Sequence, residues 1–113
     1  MAIFTLAEAR QLLPQVRDLT QRYHDLVEAQ RDSLVDPGDA AEVAQVERRM
    51  NALLQEWAGA LNELGVDVKG LWLADFDSGD GYYYCWQLGE ADIEHFHRYE
   101  TGFAGRRPID RLA

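Results

Sequence analysis

Between Leu88 and Pro108 the chain reads LGEADIEHFHRYETGFAGRRP, a stretch that packs carboxylates, imidazoles, guanidinium groups and glycines together. Glu94-His95-Phe96-His97 is a Glu-x-x-His pair, the spacing that carboxylate-bridged di-metal bundles use on each of two helices. On a helical wheel at about 100° per residue, Glu90, Glu94 and His97 fall in one stripe and His95 points the other way. Oxygen and imidazole ligands on one stripe suit zinc, manganese or iron. Glu90, Glu94 and His97 are therefore the candidate metal set, with a divalent metal as cofactor. The chain holds one such pair, so a dinuclear centre would need a second copy to complete it. A solvated acidic face, with His97 hydrogen-bonded into the edge of the core, gathers the same residues and is the simpler reading.

Gly102-Phe103-Ala104-Gly105-Arg106-Arg107 carries a second kind of chemistry. Flexible glycine backbones can turn successive N–H groups toward an anion, and an arginine fork grips carboxylate or phosphate with two bonds. The structural counterpart is a tail anchored by Phe103, with Arg106 or Arg107 paired to an acid such as Asp75 or Glu90. Cys85 is the one cysteine, which excludes an internal disulfide. Between Tyr84 and Trp86 on a strand it reads as a small buried hydrophobe rather than a nucleophile. No nucleophile elbow, phosphate loop or dinucleotide fingerprint occurs.

These residues need a frame. Thr5 to Glu8 spells TLAE, a capping-box pattern. Apolar residues then recur at Ala9, Leu12, Val16, Leu19, Tyr23 and Leu26, predicting a helix to about Ser33, with a bend or break at Pro14. Asp36-Pro37-Gly38 is a turn. Asp39 caps a second helix along Val43, Val46, Met50, Leu53, Trp57, Leu61 and Leu64, and Gly65 suits its C′ position. After Gly65 the period becomes 2. Leu71 to Phe76 and Tyr82 to Leu88 flank DSGDG, predicting a β-hairpin with Tyr82, Tyr84, Trp86 and Leu88 on one face. Ile93 and Phe96, three residues apart, favour a short third helix from Glu90 to about Arg98, before an irregular tail.

The fold class is thus α+β in one domain, 1–113: a long antiparallel helical hairpin over 5–64, a β-hairpin over 70–89, then a short helix and tail over 90–113. One β-hairpin covers the apolar stripe of two long helices only in part. A second copy is the simplest cover, so a homodimer is expected.

Composition limits the partners. The 113 residues carry 20 acids against 11 bases, a net charge of −9, and that field repels phosphate backbones and anionic lipid. Neither nucleic acid nor membrane is an expected partner. No apolar run approaches the ~20 residues of a membrane span, and MAIFTLAEARQLL lacks the pattern of a signal peptide. The expected location is the cytoplasm.

FTLAEARQLLPQVR at the start, ELG-V-VK after the second helix, ADF on the first strand, and above all CWQLGEADIEHFHRYETGFAGRRPI carry a resemblance that covers nearly the whole chain. The sequence resembles a family of small bacterial proteins known as domain of unknown function 2203. In that pattern arginine more often stands at the place of Gln87, proline at Ala91 and tryptophan at Phe96; Asp75, Glu90, His97, Gly102, Phe103, Gly105 and Arg106 match. The resemblance implies no activity. It does focus attention on those residues, and Asp75, Glu90, His97 and Arg106 are the candidate pocket. The leading expectation is a small homodimeric binding or interaction module, with an unidentified protein or a small anionic ligand as partner. The alternatives are a metal-dependent enzyme or metal-binding protein using Glu90, Glu94, His97 and Asp75, and a structural coiled-coil adaptor.

Overall fold

The computed structural model describes residues 2–112. Thr5 opens α1 (Leu6–Asp32): its hydroxyl accepts the Glu8 N–H at 3.1 Å while the Glu8 carboxylate accepts the Thr5 N–H at 2.9 Å, a reciprocal capping box. Of the bend or break expected at Pro14, the break is absent, and α1 runs through it. The proline forfeits one bond to a carbonyl four residues back, and burial of Leu13 and Val16 on either side offsets that loss. Asp39 caps α2 (Ala40–Glu63) by accepting the N–H groups of Ala41 and Glu42. Gly65 follows with φ +84, where an added Cβ would lie 2.4 Å from the Ala2 Cβ; only glycine fits that turn.

The two helices form an antiparallel pair. Its near end is a packed core, where Ala9, Leu13 and Val16 of α1 and Trp57 and Leu61 of α2 bury against the sheet. Toward the far end only Val27 and Val46 are buried, and Leu26 and Val35 are exposed. The molecule measures 53 × 25 × 24 Å, with a radius of gyration of 16.1 Å, against about 13 Å for a compact chain of this length. The helical pair therefore projects beyond the sheet as an arm.

The sheet has four antiparallel strands in chain order: β1 (Leu73–Asp77), β2 (Tyr82–Gln87), β3 (His95–Arg98) and β4 (Arg107–Pro108). Ala74, Phe76, Tyr84 and Trp86 face the helices, as the alternation of the two aromatic strands predicts. The short third helix expected after Glu90 is instead β3. A two-stranded hairpin leaves the open edge of β2 unpaired; His95 to Arg98 pair with it in the register Cys85↔His95 to Tyr82↔Arg98, and Phe96 is buried beside Tyr82 with ring centroids 5.7 Å apart. The predicted hairpin is thus half of a larger sheet. Among the described residues no helix is long and apolar enough to cross a membrane.

Candidate functional site

Side chains alternate along a strand, so the face turned away from the helices carries Asp75 and Asp77 from β1, Tyr83 and Cys85 from β2, and His95 and His97 from β3. The register sets two rows across it, Asp75↔Cys85↔His95 and Asp77↔Tyr83↔His97. Charged and polar groups on an outer face are ordinarily solvated, yet here Asp75 is 4%, Cys85 1% and His97 1% exposed. His97 Nε2 reaches across β2 to within 3.0 Å of Asp75 Oδ2, and His97 Nδ1 lies 2.9 Å from the Arg98 carbonyl oxygen. A ligating atom from each of Asp75, Cys85 and His97 lies within 4.8 Å of the other two. Tyr83 lies over this group with its ring centroid 5.4 Å from that of His97, and the Lys69 ammonium sits 3.7 Å above the Tyr83 ring.

A second network adjoins the first. Arg106 Nη2 donates to Glu90 Oε1 at 2.6 Å and to the Cys85 carbonyl at 3.3 Å, and its guanidinium stacks 4.8 Å from the Phe103 ring centroid. Glu90 Oε1 also accepts the Gln87 N–H at 2.7 Å, while His95 Nδ1 lies 3.3 Å from Glu90 Oε2. From α1, Arg10 donates to the Ile93 carbonyl at 2.9 Å and Arg17 to the Ala91 carbonyl at 2.7 Å. α1 thus holds the β2–β3 connection that presents Glu90. Among the described residues three buried side-chain polar atoms lack a hydrogen-bond partner, Asp75 Oδ1, His95 Nδ1 and Arg106 Nε. All three belong to these two networks.

Burial pushes the Cys85 thiol up to about 12; the neighbouring Asp75 charge adds to the rise, against an opposing pull from Arg106. Cys85 is therefore a protonated thiol at neutral pH rather than a nucleophile. For Arg106 burial works against the charge, and the bonded Glu90 carboxylate together with the neighbouring Cys85 more than compensates, raising its pKa above the ordinary value.

The candidate pocket residues divide between the two networks: Asp75 meets His97, and Glu90 meets Arg106. Glu90 does not face His97, as the helical wheel expected, because β3 is extended and turns His95 toward Glu90 instead. The metal set Glu90, Glu94 and His97 is not brought together among the described residues. Glu94 and His97 are three apart on extended backbone, hence on opposite faces, and Glu94 is exposed. Phe103, expected as a buried anchor, is 41% exposed and covers Arg106 instead. Sequence reasoning missed Cys85 as a neighbour of both Asp75 and His97. The signal was the alternation of His95-Phe96-His97, a polar-apolar-polar period that places both histidines on one strand face.

Two clefts flank this region. One is lined by Asn62, Glu63, Gly65, Asp67, Asp77 and Tyr83; it is acidic and ends on the Tyr83 that lies over His97. The other is lined by Phe96, Arg98, Thr101, Gly105, Arg107 and Arg111, and these three arginines form no ion pair among the described residues.

Neither a curated protein nor a solved structure matches the chain. The model of one family, described as an uncharacterized conserved protein (DUF2203), matches residues 2–109 and so takes in both networks and most of the arginine-lined pocket. The chain belongs to this family, as its C-terminal block suggested.

Proposed function

We propose that the protein is a small cytoplasmic binding module whose ligand is a compact anion, carboxylate or phosphate, held in the pocket of the C-terminal block. The observation that carries this reading is the convergence of Arg98, Arg107 and Arg111 on one pocket in a chain of net charge −9. Three guanidinium groups that share a pocket with no carboxylate among its lining residues repel each other until an anion joins them. Guanidinium groups suit this task because their planar forks bond two oxygens at once. The networks around Asp75, Glu90, His97 and Arg106 then serve as the clasp that holds β3 and the tail in place.

Isothermal titration with inorganic phosphate and with citrate tests the reading. Saturable one-to-one binding is expected, weakening steeply with added salt and lost in Arg107→Ala/Arg111→Ala. Absence of saturable binding to either probe in the wild-type protein overturns it.

A homodimer is favoured by a separate observation. Leu54, Trp57, Ala58, Val68 and Leu71 line an open apolar groove between α2 and the segment before β1, and Leu71 is 58% exposed. Apolar surface of this kind on a small protein marks an interaction site. Solution mass at micromolar concentration should be that of a dimer, and Leu71→Asp should shift it to a monomer. A wild-type monomer overturns this reading.

A further inference from the structure

Asp75, Cys85 and His97 raise a question that a clasp does not answer. The Arg98 carbonyl only accepts, so the bond at 2.9 Å puts a proton on His97 Nδ1. In the neutral ring the other nitrogen is then a lone pair, and what faces it at 3.0 Å is Asp75 Oδ2, another lone pair. Two electron-pair donors approach this closely only with a cation between them. That cation is either a second proton or a metal ion.

We propose that Asp75, Cys85 and His97 form a mononuclear site for a borderline-soft divalent metal of the zinc class, held by one carboxylate, one thiolate and one imidazole. Four features support it. The donor set of sulfur, nitrogen and oxygen is the one zinc takes in proteins. The donor atoms already lie within 4.8 Å of one another, and His97 Nε2 and Asp75 Oδ2 are 3.0 Å apart, against the roughly 3–4 Å between ligands that tetrahedral coordination needs. Asp75 Oδ1 is buried and has no hydrogen-bond partner, leaving a second carboxylate oxygen free to turn to the ion. Finally, a metal-bound histidine fixes its tautomer by donating its other N–H to a backbone carbonyl or carboxylate, and His97 does so to Arg98.

Charge also balances. Without metal, the three groups, with one proton on sulfur and one shared across the 3.0 Å contact between His97 Nε2 and Asp75 Oδ2, sum to zero. With a divalent ion, a carboxylate, a thiolate and a neutral imidazole again sum to zero. Binding therefore exchanges one M²⁺ for two protons, from the S–H bond of Cys85 and from between His97 and Asp75, both passing to solvent as the metal–sulfur and metal–nitrogen bonds form. The buried site gains no net charge, so no uncompensated charge is left in the interior. A cleft lined by Glu63, Asp67, Asp77 and Tyr83 adjoins the cluster, with Tyr83 beside His97, and its carboxylates favour cations. This site is independent of the anion pocket.

Cobalt is the probe, because its thiolate complexes give a charge-transfer band in the near ultraviolet and tetrahedral geometry gives strong visible bands. Untagged protein freed of metal by a chelator should take up one Co²⁺ with both signatures, and Zn²⁺ should displace it. Cys85→Ser should abolish the charge-transfer band and weaken Zn²⁺ binding by at least tenfold with the circular dichroism spectrum unchanged. Asp75→Asn should weaken binding while keeping the band. Should Cys85→Ser fail to fold, the wild-type spectrum decides alone: no stoichiometric uptake, or uptake without the thiolate band, overturns the proposal.

Discussion

Arg106 donates to Glu90 Oε1 at 2.6 Å while the Gln87 N–H donates to the same oxygen at 2.7 Å, so one carboxylate oxygen holds both the end of β2 and the tail. Both side chains are largely buried, which places this pair above the surface ion pairs that contribute little. Glu90→Gln and Arg106→Gln should each lower stability by roughly 1.5–3 kcal/mol, the range for hydrogen bonds to charged groups. A double-mutant cycle in urea should give a coupling of about 1 kcal/mol or more. Additive losses would show that the tail is held by something else.

Inside the helical pair, Trp57 donates its indole N–H to Thr20 Oγ1 at 2.9 Å, both residues being almost fully buried. Thr20→Val keeps the shape and removes the acceptor. The orphaned donor should cost about 1–3 kcal/mol, read as a lower urea midpoint with unchanged slope. Thr20→Ser, which keeps the oxygen, should cost less; equal losses would assign the effect to packing.

The Glu8 carboxyl sits below its ordinary pKa of 4.5 because the Thr5 backbone N–H and then the Thr5 hydroxyl favour its charged form. A depressed folded pKa means that the unfolded chain takes up the proton first as pH falls. The contribution is therefore present above the unfolded value and is lost as pH drops through the lower folded one. Wild type and Glu8→Gln should differ by a constant amount from pH 7 to about 5 and converge as the pH falls below the unfolded value of 4.5. A constant difference down to pH 3 would show that the carboxylate adds nothing to the cap.

Cys85 is buried and its thiol is held near 12, so in metal-free protein at neutral pH it should resist a disulfide reagent that modifies one equivalent at once in denaturant. Fast modification of native protein would show that this face of the sheet opens.

Much of the frame was legible because long periodic segments average out local accidents. The TLAE box, the three-four spacing through Leu26, Asp39 and Gly65 mark both helices to within a residue or two, and the DSGDG turn between aromatic runs marks the first hairpin. β3 was not legible. His95 to Arg98 is only four residues long, and Ile93 and Phe96 at a three-residue step imitate a helix; what decides is the unpaired edge of β2, which no local window contains. The error carried into the site. On a helix Glu90 meets His97, whereas on a strand it meets His95 and leaves His97 to Asp75, a partner 22 residues away that only the sheet register brings near.

Strand order that matches chain order has a kinetic consequence. Each β-strand pairs with its neighbour in sequence and the helices close on a short turn, so most of the fold is assembled from local contacts that need little loop closure. The long-range bonds include two from α1 to the β2–β3 connection, Arg17 to the Ala91 carbonyl, 74 residues apart, and Arg10 to the Ile93 carbonyl, 83 residues apart. Bonds of such reach are expected to form after the hairpins and to break first. Arg17→Ala should therefore hasten unfolding and leave the refolding rate almost unchanged, which makes these two arginines set the lifetime of the native state rather than the speed of reaching it.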